Sequence, residues 1–400
     1  MRKLMYAILF ELYALLLAWV QAIGGVRTDE AKYLLNIPYP HPPLARSLIA
    51  LTSRFPYQEL LWRVIFATLV VQAAWIVWWM ARELSRDQRV TTMAAWLLCA
   101  AVVLQAGSVM MAPLTALEGL LFLALLFEAR RNPENWGPWQ AFGAGLLWLV
   151  SLLTAYQAVL YFPIVVALFL PLRFPWWQKA LYVLAPLPLA LLFGIAEPAI
   201  LASFVNAGAL NTSLTPMDKA LSLFQAWCVG GSILIGIVGI VGMALDRQWA
   251  MFLSLALVAA FLYVSFRMYY AILFTPLLVA GMVLFLRRAW SSPVSVLGPV
   301  ALITVLCVGL FPPSLKPGAS RAVMQSIALQ GKTGTVLIAG SFGHDWQYES
   351  SFPVLRFHPS LLTNAQAVVC LDQCDDMKKR DGWVTLPNLP TEVWVRENDQ

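Results

Sequence analysis

Long apolar runs dominate this 400-residue chain. A helix of about 20 apolar residues crosses a bilayer, and in lipid only helices and closed barrels satisfy their own backbone groups. Hydrophobic residues make up 60% of the chain and charged residues 12%, whereas soluble domains have roughly 45–50% and about 25%. The sequence therefore predicts an integral, multi-pass α-helical membrane protein.

Charges and prolines divide the apolar sequence into about eleven predicted spans. The first is expected to be a retained helix, because no convincing small-residue cleavage site follows it and more spans do. The spans are predicted at residues 4–23, 60–81, 90–108, 113–128, 139–155, 157–171, 179–196, 226–245, 249–266, 268–286 and 293–311.

Lysine and arginine are distributed unevenly between alternate loops. With a cytoplasmic N-terminus, the inside loops hold more of them over a shorter length than the outside loops. Because basic loops stay inside, the 24–59 loop, the 197–225 loop and the C-terminal tail are predicted to be extracytoplasmic. The least certain boundary between two predicted spans lies at residues 155–157. If these two spans were one, the predicted orientation of every later span would be reversed.

The formal net charge of +6 does not indicate nucleic-acid binding, since the basic residues lie in short loops and form no stripe with aromatic residues. Cys99, Cys228 and Cys307 fall in apolar runs and are expected to pack as small apolar residues. Cys370 and Cys374 lie close together in the tail. Free thiols are the favoured prediction for this pair, with a short-loop disulfide as the alternative.

The character of the chain changes after Pro312 and Pro313. The short runs TVLIAG, AVVCL, GWVTL and EVWVRE are β-like and are separated by Gly, Pro and Asp. Residues 312–400 are therefore predicted to form a small soluble α/β domain outside the membrane, after a transmembrane domain of residues 1–311.

The richest polar stretch, TDEAKYLLNIPYPHPPLARSLIAL, lies in the loop after the first span. Asp29 and Glu30 are adjacent, and prolines bracket His41, which predicts a stiff, non-helical rim over residues 37–43. LARSLIALTSRF follows and predicts a short interface helix, with Leu44, Leu48, Ile49 and Leu51 on its apolar stripe and Arg46, Ser47 and Arg54 off it.

An acidic pair just after the first span, followed by HPPLAR, resembles the GT-C superfamily of membrane glycosyltransferases. It is most similar to protein O-mannosyltransferases and to the bacterial enzymes that modify lipid A with a sugar such as aminoarabinose. Weaker similarities lie in ALEGLLFLALLFEARR, GAGLLWLVSLLTAYQAVLYFP and RMYYAILFTPLLVAGMVL. The resemblance covers roughly residues 1–290 and implies a GT-C-like fold.

The resemblance implies transfer of a sugar from a polyprenyl-phosphate donor to a lipid, glycan or protein acceptor, with inversion, at the outer face of a bacterial plasma (inner) membrane. Membrane lipids are further expected partners, and nucleic acid is not one. No cofactor is required. A divalent metal at Asp29 or Glu30 is compatible with this chemistry without being implied, and no His and carboxylate cluster is typical of a metal centre.

Asp29 is the expected catalytic base, because a carboxylate can take a proton from the acceptor hydroxyl and favour positive charge at the anomeric carbon. Adjacent residues point in different directions, so Glu30 is expected to contact a sugar hydroxyl or to support Asp29. The alternative is that both only cap a helix or mark an outside loop.

Five residues are candidates for substrate binding. His41 would orient the donor phosphate or the acceptor, or else packs among the prolines. Arg46 and Arg267 are candidate phosphate ligands, with anchoring at the interface as the alternative. Tyr270 belongs to the aromatic pair after Arg267, and Glu118 is an ionisable group within a span, where such groups are functional or paired to another helix.

Two positions depart from the pattern of the superfamily. Many relatives have Asp where this chain has APLT, and relatives often carry Lys where it has Ala155. If that Lys holds the donor phosphate, this chain needs another cation or a different donor, or has lost activity. Two alternatives therefore stand: a transporter or flippase of a lipid-linked precursor, with polar residues on broken helices at mid-membrane, and an inactive GT-C-derived scaffold.

Overall fold

The computed structural model describes residues 2–37, 42–196, 215–265, 267–289, 297–311, 316–331, 334–372, 374, 377–378 and 380–397. Most of them are helical. The helices before the C-terminal sheet are α1 (Arg2–Gly24), α2 (Thr28–Leu34), α3 (Pro43–Ala50), α4 (Gln58–Gln72), α5 (Ala74–Met80), α6 (Arg86–Leu98), α7 (Ala100–Gln105), α8 (Met111–Arg131), α9 (Pro138–Thr154), α10 (Phe162–Phe169), α11 (Trp176–Leu184), α12 (Pro186–Ala196), α13 (Pro216–Gly231), α14 (Leu234–Leu245), α15 (Trp249–Val264), α16 (Thr275–Ala289), α17 (Leu297–Leu310) and α18 (Ala319–Leu329). Short 3₁₀ helices cover Pro133–Asn135, Tyr156–Tyr161, Met268–Phe274 and Pro359–Asn364.

Within the described residues, four helical stretches are long and apolar enough to cross a membrane: Met5–Gly24, Gln58–Met80, Met111–Arg131 and Met268–Arg288. The bent pair α13 and α14, with 86° between its members, would make a fifth if counted as one span. Shorter apolar helices cover Pro138–Thr154, Tyr156–Phe169, Trp249–Val264 and Leu297–Leu310. The helical membrane protein is therefore confirmed, whereas the count of about eleven spans is not.

Two of the predicted spans have breaks that meet inside the bundle. One divides at Cys99 into α6 and α7, and the other at Ser232 and Ile233 into α13 and α14. Ser232 and Ile233 have φ of 42° and 49°. Positive φ is uncommon in residues other than glycine, and it is especially unusual in a β-branched residue such as Ile233. The Ser232 hydroxyl accepts a hydrogen bond of 3.2 Å from the Ala100 N–H. Apolar runs flank both breaks, so hydropathy alone does not reveal them.

Glycines bring α14 and α16 into close contact. A Cβ atom on Gly242 would collide with the Gly281 carbonyl, and one on Gly281 would collide with the Gly239 carbonyl. Small residues allow such approach between helices in a membrane, where van der Waals packing drives their association. The stretch Met268–Arg288, which contains most of α16, is the most buried of the four span-length stretches among the described residues.

The two ends of α8 mark the two ends of the bundle, about 30 Å apart for a helix of this length. At its C-terminal end, arginines from several helices form ion pairs. Arg82 pairs with Glu128 at 2.7 Å, and both Arg131 and Arg287 pair with Glu83. The N-terminal end of α8, at Met111, lies beside the acidic pair of the first loop.

The C-terminal segment, residues 316–397, contains a five-stranded sheet. Its strands are β1 (Thr335–Ala339), β2 (Val354–Arg356), β3 (Ala365–Cys370), β4 (Trp383–Thr385) and β5 (Glu392–Arg396), and α19 (His344–Glu349) lies between the first two. The order is β2-β1-β3-β5-β4, with β1 parallel to β2 and β3 and with β5 antiparallel to β3 and β4.

Each of the four predicted β-like runs forms a strand, and the three-residue strand β2 was not predicted. The expectation of free thiols at Cys370 and Cys374 is wrong. The turn after β3 brings their Cα atoms to 5.8 Å, and the two residues form a disulfide.

Candidate active site

The acidic pair lies in the first turn of α2, where negative charge is stabilised by the helix dipole. The helix ends before Asn36, whose φ of 54° is left-handed and is tolerated by asparagine. Because successive side chains on a helix point about 100° apart, the carboxylates of Asp29 and Glu30 face different surroundings.

Asp29 is partly exposed beside a small pocket of about 10 Å³, and its carboxylate is held at both oxygens. Its Oδ1 accepts a hydrogen bond of 2.9 Å from Lys32 Nζ, one turn further along α2. Its Oδ2 accepts one of 3.3 Å from the Tyr269 hydroxyl. The side chain is still 27% exposed, and it lines a small pocket with Tyr33 and Met111. The carboxylate is thus fixed in orientation and accessible to a substrate.

Tyr269 and Tyr270 form the wall of this pocket opposite α2. Both belong to the 3₁₀ helix Met268–Phe274, and their ring centroids are 4.5 Å apart. Tyr270 is buried and its hydroxyl accepts a hydrogen bond of 3.1 Å from Gln157 Nε2. Of the two tyrosines, Tyr269 contacts the Asp29 carboxylate, while Tyr270 was the one predicted to bind substrate.

A cavity of about 320 Å³ lies on the other side of Tyr269. Its lining combines polar and apolar side chains: Arg27, Gln21 and Gln105 among the polar ones, Val20, Leu104 and Phe311 among the apolar ones. Gln105 Nε2 donates to the Met268 carbonyl at 3.0 Å. Its Oε1 is buried and has no hydrogen-bond partner among the described residues. The cavity therefore presents an acceptor to a hydroxyl group.

Arg27 is the exposed cation of this cavity. Its backbone N–H donates to Glu30 Oε2 at 2.9 Å. In the part of the chain that the structure describes, no ion pair holds its guanidinium, which leaves this group available to an anion.

Glu30 is buried, with 1% exposure, and its oxygens are occupied by protein donors. They accept hydrogen bonds from Arg63 at 2.9 and 3.0 Å and from the Val109 N–H at 2.9 Å, besides that from Arg27. Burial would raise the pKa of the Glu30 carboxyl, but the charge and hydrogen bonds of Arg63 outweigh it and hold this pKa below its ordinary value. Glu30 and Arg63 also belong to the lining of the cavity of about 320 Å³, but both Glu30 oxygens are already engaged, which gives this carboxylate a structural role.

Arg63 explains why Glu30 is buried. All five of its N–H groups donate: two to Glu30, one to Glu59 and one each to the carbonyls of Gly25 and Gly107. The Arg63 guanidinium thus joins α4, the turn between α1 and α2, and the connection before α8. It is the residue that fixes the position of α2 in the bundle.

Two of the predicted substrate-binding residues belong to the rest of the first loop. His41 lies outside the described residues. Arg46 is buried, and its Nη1 donates to the Ile37 carbonyl at 3.1 Å, so its role as a phosphate ligand stays a prediction. Leu48 and Leu51 of the predicted apolar stripe are 49% and 81% exposed. Ile49 of the same stripe is buried, with 1% exposure, so the stripe does not pack against the bundle as one face.

Glu118 and Arg267 lie at different distances from the acidic pair. Glu118 is buried in α8 beside the hydroxyls of Ser151 and Thr154, six residues or about 9 Å beyond Ala112, which lines the Asp29 pocket. Arg267 is exposed and directly precedes the cavity-lining Met268. The structure thus brings Arg267 to the edge of the site and keeps Glu118 deeper in the bundle.

Four residues of the site were missed in the sequence. Lys32 had a readable signal, because a residue three positions after Asp29 on a helix shares its face. Tyr269 was passed over for its neighbour, and Arg27 was counted only as a loop charge. Arg63 had no local signal, since it lies 33 residues from Glu30.

Comparisons with known proteins show the fold. No family model and no curated protein matches the chain. The cryo-EM structure of the arabinofuranosyltransferase AftD from Mycobacteria matches 99% of this chain and 40% of its own, with a TM-score of 0.53 and 12% identity. A mutant form of that enzyme matches 99% of this chain and 42% of its own, with a TM-score of 0.49 and 14% identity.

The chain therefore shares its fold with part of the AftD chain, in agreement with the membrane glycosyltransferase fold that the acidic pair and HPPLAR predicted. It spans less than half the length of the AftD chain. At 12% identity the likeness concerns the fold. The similarity to mannosyltransferases and to lipid A-modifying enzymes stays a prediction.

Proposed function

We propose that this protein is a membrane glycosyltransferase that moves a sugar from a polyprenyl-phosphate donor to an acceptor hydroxyl at the extracytoplasmic face of a bacterial plasma membrane. The observation that carries the proposal is the Asp29 carboxylate, accessible and held by Lys32 and Tyr269 next to a cavity of about 320 Å³. A cavity of this size suits a small ligand such as a sugar phosphate.

Asp29 acts as the general base. It takes the proton of the acceptor hydroxyl while that oxygen bonds to the anomeric carbon, and the bond from this carbon to the phosphate oxygen breaks. The lipid phosphate leaves with the bonding electrons. One displacement of this kind inverts the configuration at the anomeric carbon, and cations that stabilise the leaving phosphate make a strong general acid unnecessary.

The larger cavity takes the donor. Arg27 binds its phosphate, for which a guanidinium is well suited. Arg27 and Lys32 thus supply the positive charge that relatives obtain from a Lys at the position of Ala155. Gln105 Oε1 accepts a hydrogen bond from a sugar hydroxyl, while the apolar side chains of the lining contact the lipid. Tyr269 separates the donor cavity from the Asp29 pocket, so rotation of its side chain joins the two.

The test compares cell-envelope glycans and lipid-linked sugars in a host that lacks this gene. The host is complemented with the wild type, with Asp29→Asn or with Glu134→Gln, which alters an exposed glutamate as a matched control. We expect a glycoconjugate to disappear and its lipid-linked donor to accumulate without the gene. The wild type and Glu134→Gln should restore the product and normally inserted Asp29→Asn should not. Full restoration by Asp29→Asn contradicts the proposal.

A transporter or flippase of a lipid-linked precursor is the second candidate function. It is favoured by the breaks at Cys99 and at Ser232, which meet inside the bundle as in transporters with discontinuous helices. The two candidates differ in reconstituted vesicles: the transferase consumes the donor chemically, whereas the transporter moves it across the bilayer unchanged. A GT-C-derived scaffold would do neither.

A further inference from the structure

A second arginine, Arg321 of α18, connects the C-terminal segment to the membrane part of the chain. Its Nε donates to Glu349 Oε2 at 2.9 Å, and its Nη1 donates to the Ala22 carbonyl at 2.5 Å. Its Nη2 forms an ion pair with Glu59 of α4. One guanidinium thus bridges the end of α1, the start of α4 and the end of α19.

Glu59 makes this bridge part of a longer chain of charges. Its Oε1 pairs with Arg63 Nε at 2.8 Å, and Arg63 in turn holds Glu30. The series Glu349, Arg321, Glu59, Arg63 and Glu30 therefore runs without a gap from the C-terminal segment to α2. The side chains along it are at most 16% exposed, so water screens these interactions much less than it would on an open surface.

Further contacts join the same two regions. Glu349 Oε1 accepts a hydrogen bond of 3.0 Å from the Val26 N–H, and the Thr28 hydroxyl donates to Asp345 Oδ1 at 2.6 Å. Tyr348 packs against the apolar cluster beneath the first loop. Gly25 has φ of 80° and lies directly against Arg321 and Glu349, where a side chain would be both strained and crowded.

We infer that Arg321 is a positioning residue of the active site, through which the C-terminal segment holds α2 and hence Asp29 in place. Without Arg321, the carboxylates of Glu59 and Glu349 would face each other without their shared cation, and Arg63 would have to compensate the remaining charge. The start of α2 would then move. A displacement of about 1 Å in a catalytic group costs as much as a hundredfold in rate, and this consequence for catalysis rests on the proposed function.

The test uses the full chain in lipid nanodiscs and three variants. Arg321→Gln removes the shared cation, and Arg321→Lys keeps the charge with a different geometry. Arg356→Gln is the matched control, because Arg356 is exposed in the same segment. Hydrogen exchange is followed in residues 25–34 and 105–110, with strands β1 and β3 as an internal reference, and sugar transfer is measured on the same samples.

We expect Arg321→Gln to speed exchange in residues 25–34 and 105–110 about tenfold or more, to leave β1 and β3 protected, and to lower transfer tenfold to a hundredfold. Arg321→Lys should be intermediate in both measurements, and Arg356→Gln should match the wild type.

Unchanged exchange in residues 25–34 overturns the inference, and so does faster exchange that includes β1 and β3, since the whole segment would then have unfolded. Faster exchange confined to residues 25–34 and 105–110 of Arg321→Gln, together with wild-type sugar transfer, also overturns the inference. If the wild type transfers no sugar, the proposed function fails, and the exchange data alone decide whether Arg321 fixes α2.

Discussion

Asp29 and Glu30 are neighbours in one helical turn, yet the two faces of α2 serve different purposes. The Asp29 face is partly exposed beside a small pocket, and two polar side chains orient the carboxylate without burying it. The Glu30 face is buried, and Arg63 binds both of its oxygens. One carboxylate is left for chemistry, whereas the other anchors the helix that carries it.

This difference teaches how an acidic pair works as a unit. A charge at an active site must stay accessible, so it contributes little to holding its own helix. The adjacent carboxylate supplies that stability because a buried charge is costly unless it is paired and hydrogen-bonded, and removal of its partner is therefore strongly destabilising. We expect substitutions on the two faces to separate activity from stability.

The largest expected effect is on catalysis. Asp29→Asn keeps the size of the side chain and removes the base, so transfer by purified protein should fall about 10²- to 10⁴-fold, the usual contribution of a general base. The free energy of unfolding should change by no more than about 0.5 kcal/mol, because the residue is partly exposed. Turnover and thermal unfolding are measured on the same preparation, and transfer within threefold of the wild type would refute the assignment of Asp29 as the base.

Glu30→Gln should reverse this pattern. Removal of one partner from a buried ion pair costs about 3–5 kcal/mol, so the variant should unfold at a clearly lower temperature than Asp29→Asn does. Any folded fraction should transfer more sugar than Asp29→Asn does, because Asp29 is intact. Arg63→Met tests the other partner and should be at least as destabilising, since it leaves both Glu30 and Glu59 without their cation. Equal stability of Asp29→Asn and Glu30→Gln would abolish the distinction between the two faces.

The pH dependence of stability tests the charge of Glu30 without changing the shape of its side chain. Because the pKa of Glu30 is lowered in the folded protein, its ion pair stabilises the fold above the ordinary glutamate range, about 4.3, and this contribution is lost as the pH falls through the folded pKa. The gap in unfolding temperature between wild type and Glu30→Gln should therefore narrow on acidification. A gap that stays constant from about pH 7 to about pH 3 would show that charge is not the cause.

Local patterns in the sequence predicted one face of α2 and not the other. Acidic residues after an apolar span, followed by HPPLAR, were enough to predict the loop and a fold of the kind that AftD has. Runs of β-branched residues predicted four of the strands, because a strand pattern is legible over five or six residues. Both predictions rest on residues that are close together in the sequence.

The burial of Glu30 could not be predicted in this way, since its partner lies 33 positions away and only the packed bundle joins them. The series through Arg321 has the same origin, with 262 positions between Arg321 and Glu59. The burial of Arg46 and the breaks at Cys99 and Ser232 also depend on neighbouring helices. Hydropathy records which residues avoid water, but it does not distinguish lipid from protein as their surroundings.

Tyr269→Phe sharpens the comparison on the Asp29 face. The variant keeps the ring between the two pockets and removes the hydroxyl that orients Asp29 Oδ2. A hydrogen bond of this kind contributes about 0.5–1.5 kcal/mol, so transfer should fall roughly 2- to 12-fold with stability unchanged. Tyr270→Phe is the matched control, because the Tyr270 hydroxyl bonds to Gln157. Larger loss in the Tyr270 variant than in the Tyr269 variant would contradict the pairing of Tyr269 with the base.

The smallest expected effect lies on the Glu30 face, at Tyr348. Burial, together with the charges of Glu59 and Glu349, raises the pKa of the Tyr348 hydroxyl from about 10 to about 12. The neutral Tyr348 hydroxyl therefore stabilises the packing of the C-terminal segment against α2. This stabilisation is complete below the ordinary tyrosine pKa of about 10, and it is lost as the pH rises to about 12. Tyr348→Phe should match the wild type at neutral pH and lack one tyrosinate that titrates near pH 12 in ultraviolet absorbance. If the transition that Tyr348→Phe lacks lies near pH 10 in the wild type, Tyr348 is exposed to water and does not belong to the packing that supports Glu30.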